Sequence, residues 1–256
     1  MTTIISWNLL RLTGASLGDV AALIRRERPD LLLMQEATEA MNALPDLVGG
    51  WYRREPLPGR IHGLAAWSPS PLPPPAIVPL PPGAMYRRIG QVLDLGAFAV
   101  ANVHLSHGQF LNRRQLRRLS EALPERAAIL GDYNLVGPTL LPGFRDVGPR
   151  EPTHAAAEVV PLRLDRCLVR GLACTGRRRP GPGGIGPSPD PRRAAGRGAG
   201  GTTHLAPARR GPDRRPPAGR GAGLIRFGGR GVAPEEGAAF LRTSIRQGTR
   251  PLHPTL

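Results

Sequence analysis

Short apolar runs alternate with segments of helical spacing along the first 170 residues. The runs are rich in Ile, Leu, Val and Ala and predict buried strands, whereas apolar residues at 17, 20, 23 and 24 predict a helix that Pro29 ends. The predicted strands span 2–8, 30–36, 61–68, 88–95, 98–105, 128–134 and 164–169, and the predicted helices span 17–28, 39–48 and 109–123. The proline-rich residues 69–82 predict a loop or an extended connection. Alternating strands and helices, with strand pairs in the middle, predict an α/β fold of mixed sheets covered by helices.

Four of the predicted strands end in polar residues of types that enzymes use in catalysis. These residues are Asn8, Glu36, His104 and the pair Asp132 and Asn134. Strand ends that meet at one edge of a sheet form the usual place for an α/β active site. Each residue alone is more often a cap or turn residue, at odds of roughly three to one. Five such residues in four segments favour a shared site.

Five segments follow one another along the chain: Trp7-Asn8, Leu33-Met34-Gln35-Glu36, Asn102-Val103-His104-Leu105, Gly131-Asp132-Tyr133-Asn134 and Leu164-Asp165-Arg166-Cys167-Leu168-Val169. These segments, in this order, resemble the endonuclease/exonuclease/phosphatase superfamily of deoxyribonuclease-I-like, metal-dependent phosphoesterases. The resemblance covers residues 2–170 and implies a four-layer sandwich of two mixed β-sheets flanked by helices. It also implies a hydrolase of phosphate esters, which is a nuclease, phosphodiesterase or phosphatase.

The same resemblance implies a metal site and its cofactor. Glu36 corresponds to the main metal ligand, with Asn8 beside it. The implied ion is Mg²⁺, with Mn²⁺ as an alternative. The chemistry agrees with this assignment, because Mg²⁺ binds one or two carboxylates and keeps several of its waters.

The remaining site residues have catalytic roles in the family. His104 corresponds to the residue that contacts the scissile phosphate or assists the leaving group. Asp132 and Asn134 correspond to the pair that positions the water and the phosphoryl oxygens. Asp165 corresponds to an acid that orients a histidine, which fixes its tautomer and favours its charged form.

That histidine is missing from the sequence. The family ends in a Ser-Asp-His segment on a final strand, which supplies a further metal-site acid and the general base. This chain contains no Asp-His pair, and its late histidines, His204 and His253, follow Thr203 and Leu252 in Gly/Pro-rich surroundings. The first domain, predicted over residues 1–174, is therefore incomplete, and hydrolysis by the chain as written is expected to be impaired.

Residues 175–256 are predicted to form a low-complexity tail, with 18 glycines, 12 prolines and 16 arginines. Such a composition cannot bury enough apolar surface to offset the entropy of ordering the chain. One interpretation is a basic tail that makes this a nucleic-acid-binding protein. The preferred interpretation is a frameshift between about residues 172 and 215. If the codons possible for residues 215–220 are read one nucleotide forward, they permit Asp-His-Leu-Pro-Val-Val, which contains the missing Asp-His pair followed by a strand-like run.

Charge and composition add little to the prediction of function. The net charge is +16, all 35 basic residues are arginine, and residues 1–174 have 19 arginines against 15 acidic residues. The folded part is thus only mildly basic, so a nucleic acid is one candidate partner beside other phosphate esters. The absence of a long apolar run predicts no membrane span, and a cytoplasmic monomer is the default expectation.

Several other polar residues allow two interpretations. An arginine cluster on the helix predicted over 109–123 either follows a phosphate backbone or is an ordinary solvated helix face; its members are Arg113, Arg114, Arg117 and Arg118. The pairs Arg53/Arg54 and Arg87/Arg88 carry the same ambiguity. The remaining histidines, His62, His107 and His154, are expected to lie on the surface.

Overall fold

The computed structural model describes residues 1–11, 14–83, 87–148, 154–156, 160–178 and 240–247. The helices of this part are α1 (Leu17–Glu27), α2 (Leu44–Val48) and α3 (Gln109–Glu121), with a 3₁₀ turn (Glu39–Ala43) before α2. The strands are β1 (Thr2–Asn8), β2 (Leu31–Thr38), β3 (Trp51–Pro56), β4 (His62–Ser68), β5 (Ala76–Pro79), β6 (Ile89–Asp94), β7 (Ala99–His104), β8 (Ala127–Asp132), β9 (Arg145–Asp146), β10 (His154–Ala156), β11 (Val160–Leu162), β12 (Asp165–Arg170), β13 (Leu172–Arg178) and β14 (Phe240–Gln247).

Most of these strands form two six-stranded mixed sheets. The first sheet has the order β13-β14-β1-β2-β4-β3, and the second has the order β5-β6-β7-β8-β12-β9. Each sheet contains one parallel pair, β1 with β2 and β7 with β8, among antiparallel neighbours. The short strands β10 and β11 form a separate antiparallel pair. The predicted α/β fold with two mixed sheets is confirmed.

The two sheets pack face to face over a shared apolar core. Because successive side chains of a strand point to opposite faces, alternate residues of each strand enter this core. Members from both sheets are Ile4, Leu31 and Leu33 in the first sheet and Val100, Leu130 and Val169 in the second. None of these side chains is more than 2% exposed, so the sandwich interior is closed to solvent along the middle of the strands.

The outer faces of the sheets are covered by the helices. Ile5, Leu32 and Met34, which alternate with the inward residues, pack against Val20, Leu23 and Ile24 of α1. On the other side, Ala101, Val103 and Ile129 pack against Leu116 and Leu119 of α3. The result is a four-layer arrangement in which each sheet has one face toward its partner sheet and one toward helices.

The helix α1 shows how local sequence sets its ends. Ser16 is the N-cap, and its hydroxyl accepts a hydrogen bond from the Asp19 amide while the Asp19 carboxylate accepts one from the Ser16 amide. This reciprocal pair satisfies two of the amides that a helix start leaves unpaired. At the other end Arg28 adopts a left-handed conformation, and Pro29 follows, where the helix cannot continue.

Two of the strands that the sequence did not predict lie at sheet edges. β3 lies at the edge of the first sheet and is only half-buried, and β5 lies at the edge of the second sheet within the proline-rich stretch. Edge strands bury one side at most, so their sequences lack the continuous apolar run of a central strand. No helix in the described part of the chain is both long and apolar enough to cross a lipid bilayer.

Two segments near the end of the chain belong to the first sheet. β14 pairs antiparallel with β1 on one side and with β13 on the other. The predicted boundary between residues 174 and 175 falls inside β13, while most of the predicted low-complexity tail lies outside the described residues. The domain division and the nature of the tail therefore stay predictions. The sequence of β14, Phe-Leu-Arg-Thr-Ser-Ile-Arg-Gln, contains neither aspartate nor histidine.

Candidate active site

The polar residues predicted for the site lie at corresponding ends of central strands. Asn8 ends β1 and pairs in parallel register with Gln35 of β2, the residue before Glu36. In the second sheet His104 ends β7 and pairs in parallel register with Asp132, which ends β8. In both parallel pairs the predicted residues thus lie at the carboxyl ends of the strands, where α/β folds bind their ligands.

Contacts between side chains join these strand ends across the two sheets. His104 lies between two carboxylates, with Nδ1 4.0 Å from Glu36 Oε1 and Nε2 3.6 Å from Asp132 Oδ2. Asn8 Nδ2 donates a hydrogen bond to the same Asp132 oxygen at 3.0 Å. The structure thus brings Glu36 and Asp132 together, because one imidazole approaches both carboxylates.

A break in the β2 ladder carries Glu36 into this position. The register between β2 and β4 shifts between Met34 and Ala37, and Glu36 itself has a φ of +56°. A left-handed backbone at a residue other than glycine costs on the order of 1 kcal/mol and persists only where its surroundings impose it. Such bulges are frequent beside active sites because they redirect a side chain out of the regular pleat.

The end of β8 is bent in a similar way. Asn134 has a φ of +47°, and its amide donates to Asp132 Oδ1 at 2.9 Å. Its side-chain Nδ2 donates to the carbonyl of Leu105 at 3.0 Å, which leaves Oδ1 for other partners. Gly131 permits the close approach of β7, since a Cβ there would overlap the carbonyl oxygen of Val103. The Gly-Asp-aromatic-Asn motif therefore meets a packing demand as well as a chemical one.

Two buried side chains fix the loop that follows this bend. Asn112 of α3 donates from Nδ2 to the carbonyls of Tyr133 and Asn134. Arg166 of β12 donates to the carbonyls of Leu135 and Gly137 at 3.1 and 3.0 Å. Buried backbone carbonyls need such donors, and here they come from a neighbouring helix and a neighbouring strand.

Asp165 is the remaining predicted site residue. It begins β12, is buried, and pairs in antiparallel register with Asp132. The structure thus places it in the same sheet and at the same end as His104 and Asp132. Its predicted role, the orientation of a further histidine, stays a prediction.

The electrostatic environment keeps the imidazole neutral at pH 7. Burial lowers the pKa of His104 to about 4, although Asp132 alone would raise it, and Arg88 lowers it further. Burial also raises the pKa of Glu36, Asp132 adds to this effect, and Arg11 and Arg88 oppose it. A phosphate anion beside His104 would favour the charged imidazole, since an opposite charge stabilises the ionised form.

Three basic residues near the site, Arg11, Arg88 and His62, were not predicted as site residues. The sequence left Arg88 open between a phosphate contact and a solvated side chain. Arg11 Nε lies 3.6 Å from Glu36 Oε2, and Arg88 is 6% exposed despite its charge. The expectation of a surface position for His62 is wrong, because this side chain is only 7% exposed. His62 begins β4 and pairs with Thr38 just beyond the bulge, where Arg11 and Arg88 lower its pKa in addition to burial.

The residues present fit a hard divalent cation. Among the described residues no cluster of three or more His, Cys, Asp and Glu side chains surrounds a common point. Mg²⁺ does not require one, because it retains waters and takes few protein oxygens. The carboxylate of Glu36 accepts no hydrogen bond from the described part of the chain, and Asn8 Oδ1, which accepts from the Leu10 amide at 3.1 Å, has a second lone pair.

His104 gives a pH-dependent stability that can be measured. A depressed folded-state pKa means that the unfolded chain binds the proton more readily, so stability is lost as pH falls from about 6.5 toward 4. Glu36 acts in the opposite sense, because a raised carboxyl pKa favours the folded state at low pH. We expect the free energy of unfolding to fall by about 1–2 kcal/mol between pH 7 and pH 5.

Urea denaturation at the two pH values checks this expectation. His104→Asn should remove most of the loss, whereas His107→Asn, which alters an exposed histidine of the same loop region, should leave it unchanged. An equal loss in the His104→Asn variant would contradict the assignment of the pH dependence to this imidazole.

Comparison with known proteins gives a family for this geometry. Residues 5–222 match the model described as the Endonuclease/Exonuclease/phosphatase family. The chain belongs to this family. Its members are hydrolytic phosphoesterases that depend on divalent metals, so the chain is a phosphoesterase of the hydrolase class. Curated protein sequences give no significant match.

Solved structures agree with the fold of this family member. A humanized TDP2 from D. rerio has a TM-score of 0.57 at 20% identity, over 70% of this chain and 90% of that one. An endonuclease/exonuclease/phosphatase from Bacteroides vulgatus has a TM-score of 0.56 at 16% identity, over 70% and 91%. One from Beutenbergia cavernae has a TM-score of 0.52 at 18% identity, over 70% and 66%. At these identities the likeness supports the sandwich fold.

Proposed function

We propose that this phosphoesterase is a Mg²⁺-dependent phosphodiesterase that cleaves nucleic acids, with Mn²⁺ as an alternative ion. The observation that carries the proposal is His104 between Glu36 and Asp132, with Asn8 bonded to the same Asp132 oxygen. This arrangement combines two carboxylates, a titratable imidazole and two carboxamides at one end of the sandwich. Phosphate hydrolysis needs mainly positioning and charge stabilisation, which such a set can supply.

Glu36 and Asn8 would hold the ion. When bound, Mg²⁺ supplies positive charge that neutralises the phosphate oxygens and the leaving group. Arg11 and Arg88 add positive charge on the side of Glu36, which favours an anionic substrate over a neutral one. The same charge would draw a phosphodiester toward the strand ends.

The other side chains would orient the reacting groups. Asp132 accepts the Asn8 amide and the Asn134 amide, so its carboxylate is held on two sides where a water could donate to it. Asn134 keeps Oδ1 available because Nδ2 is bonded to the Leu105 carbonyl. His104, neutral in the free protein, would gain its proton as the phosphate anion approaches and could then donate to the phosphate or the leaving oxygen.

The rate of this chain is proposed to be low, because the sequence lacks the Asp-His pair that supplies the general base in the family. A positioned base typically contributes about 10²–10⁴-fold to a rate. Hydrolysis of a chromogenic phosphodiester and nicking of plasmid DNA, each with Mg²⁺, Mn²⁺ and EDTA, test the proposal. Activity that persists undiminished in EDTA, or that is absent with both ions and both substrates, would overturn it.

Two observations support a nucleic acid as the substrate. One D. rerio TDP2 structure is described as a complex with a single-strand DNA product, at 20% identity and a TM-score of 0.55 over 70% of this chain and 89% of that one. On α3, which Asn112 ties to the site loop, Arg114 and Arg117 are exposed. The other two arginines of the predicted cluster have partners, since Arg113 donates to the Pro138 carbonyl and Arg118 pairs with Glu121.

The double substitution Arg114→Ala/Arg117→Ala separates a nuclease from a small-ester phosphatase. We expect KM for DNA to rise about 3–10-fold and the salt dependence of binding to weaken, since each phosphate contact releases counterions. Hydrolysis of the small chromogenic diester should not change. The matched control Arg126→Ala/Arg145→Ala removes two arginines near the ends of β8 and β12 that lie away from Asp132 and Asp165. It should leave the hydrolysis of both substrates unchanged. An unchanged KM for DNA in the first variant would argue for a small phosphoester.

A further inference from the structure

Three carboxamides are buried between the two sheets, beneath the strand ends that form the site. Gln35, Gln91 and Asn102 are each fully inaccessible to solvent. Burying such groups costs free energy unless their hydrogen bonds are met, so an apolar side chain would be the simpler filling for this space. Their presence calls for a reason beyond packing.

Asn102 of β7 forms hydrogen bonds that cross from the second sheet to the first. Its Nδ2 donates to the carbonyls of Met34 in β2 and Ala65 in β4, at 3.1 and 3.0 Å. Its Oδ1 accepts a bond of 2.7 Å from Gln35 Nε2. A single side chain of one sheet therefore holds the backbones of two adjacent strands of the other.

These contacts coincide with the break in the β2–β4 ladder. Met34 and Ala65 are the last partners in register before the bulge, and pairing resumes at Ala37 with Gly63. The carbonyls at the break need donors that the regular ladder no longer supplies, and Asn102 provides one to each strand. Glu36 is the second residue after Met34 and takes its left-handed backbone within this break.

We infer that Asn102 is a positioning residue, which fixes the bulge that presents Glu36 to His104 and to the metal. A leucine at this position would fill a similar volume and leave the Met34 and Ala65 carbonyls without these donors, so the bulge could relax toward regular pairing. The metal part of this inference rests on the proposed function. The backbone part does not, because it concerns hydrogen bonds between groups of the protein alone.

Two variants of the full chain test the role of Asn102, with a third as matched control. Asn102→Leu removes all four hydrogen bonds of this side chain, including the one that its Nδ2 donates to Gln91 Oε1 at 3.2 Å. Asn102→Asp keeps an acceptor for Gln35 but removes the amide that donates to the two carbonyls. The control Gln91→Leu removes a buried amide of the same network, which donates to the Arg53 carbonyl and accepts from Asn102 Nδ2, and it leaves the bonds from Asn102 to the Met34 and Ala65 carbonyls in place. Melting temperatures identify conditions in which all variants are folded.

The first readout is amide hydrogen exchange without metal, for residues 35–37 and for Leu9, whose amide donates to the Gln35 carbonyl at 2.9 Å. We expect exchange to accelerate about 10-fold or more in both Asn102 variants and to stay within about 3-fold in Gln91→Leu. The second readout is Mn²⁺ binding by electron paramagnetic resonance, where Asn102→Leu should weaken affinity by about 10-fold.

Each outcome decides one question. The inference is overturned if amide exchange and Mn²⁺ affinity change equally in Asn102→Leu and Gln91→Leu. Asn102 would then contribute no more than any other buried residue of the core. If Asn102→Leu does not fold, the comparison of Asn102→Asp with Gln91→Leu decides in the same way. Absence of Mn²⁺ binding in the unsubstituted chain would contradict the proposed metal dependence, and the exchange data would still decide the role of Asn102.

Discussion

Replacing Gly237, Ala238 and Ala239 by Ser, Asp and His should raise the rate of phosphodiester hydrolysis by about 10²–10³-fold. These residues directly precede β14 in the sequence, and β14 pairs antiparallel with β1 so that Phe240 is opposite Trp7, one residue before Asn8. The substitution thus puts a Ser-Asp-His sequence immediately before β14, as the family resemblance implies for the final strand. The gain is expected because a base and an acid would be added to a set of positioned residues.

The steady-state rate with a chromogenic phosphodiester and saturating Mg²⁺ measures this gain. The isosteric control Gly237→Ser/Ala238→Asn/Ala239→Gln supplies neither a carboxylate nor an imidazole and should stay at the rate of the unsubstituted chain. Equal rates for the two triple variants would contradict the idea that the missing pair limits turnover. Sequencing the DNA across codons 172–215 is a separate test of the frameshift, and an unbroken frame with other codons would end that interpretation.

Glu36→Gln should abolish most of the activity and most of the metal affinity. The substitution keeps the shape of the side chain and removes the charge that would bind the ion, so we expect a loss of about 10³-fold in kcat/KM and of about 100-fold or more in Mn²⁺ affinity. The free energy of unfolding should stay the same or rise by up to about 1 kcal/mol. The reason is that burial, which raises the pKa of Glu36, disfavours its charged carboxylate in the folded protein.

Titration calorimetry with Mn²⁺, the diester assay and urea denaturation give the three quantities. Glu39→Gln is the matched control, since it removes a carboxylate that is exposed in the 3₁₀ turn just after β2. It should leave metal binding and rate unchanged. A Glu36→Gln variant that bound Mn²⁺ as tightly as the unsubstituted chain would remove Glu36 from the metal site.

Most central strands of the sandwich could be predicted because each carries a continuous apolar run. The exception is β14, which lies between β13 and β1 but has no such run and falls in the predicted low-complexity tail. β1 and β8 agree with prediction to within one or two residues, and α1 begins at its predicted position, Leu17. Edge strands such as β3 and β5 were missed, since a half-buried strand needs no continuous run. The sequence also gave no basis for the short strands β9 to β11, whose pairing depends on distant partners.

The sequence allowed the residues of the site to be predicted, but not their burial or the distances between them. Asn8, Glu36, His104 and Asp132 were named from their places at strand ends, and the structure brings their side chains together, while their roles stay predictions. Arg88 was indistinguishable from a solvated arginine, because its burial depends on segments that pack over it. His62 was placed on the surface for the same reason.

The sequence by itself determined which segments become buried strands and which polar side chains stand at their ends, because both follow from the order of apolar and polar residues along a short stretch. The tertiary structure alone decided that Glu36 leaves its ladder, that Asn102 spans the two sheets, and that one imidazole lies between two carboxylates. Those features join residues 28 to 68 positions apart, and distances of that kind are set by sheet register and packing, which no local pattern encodes.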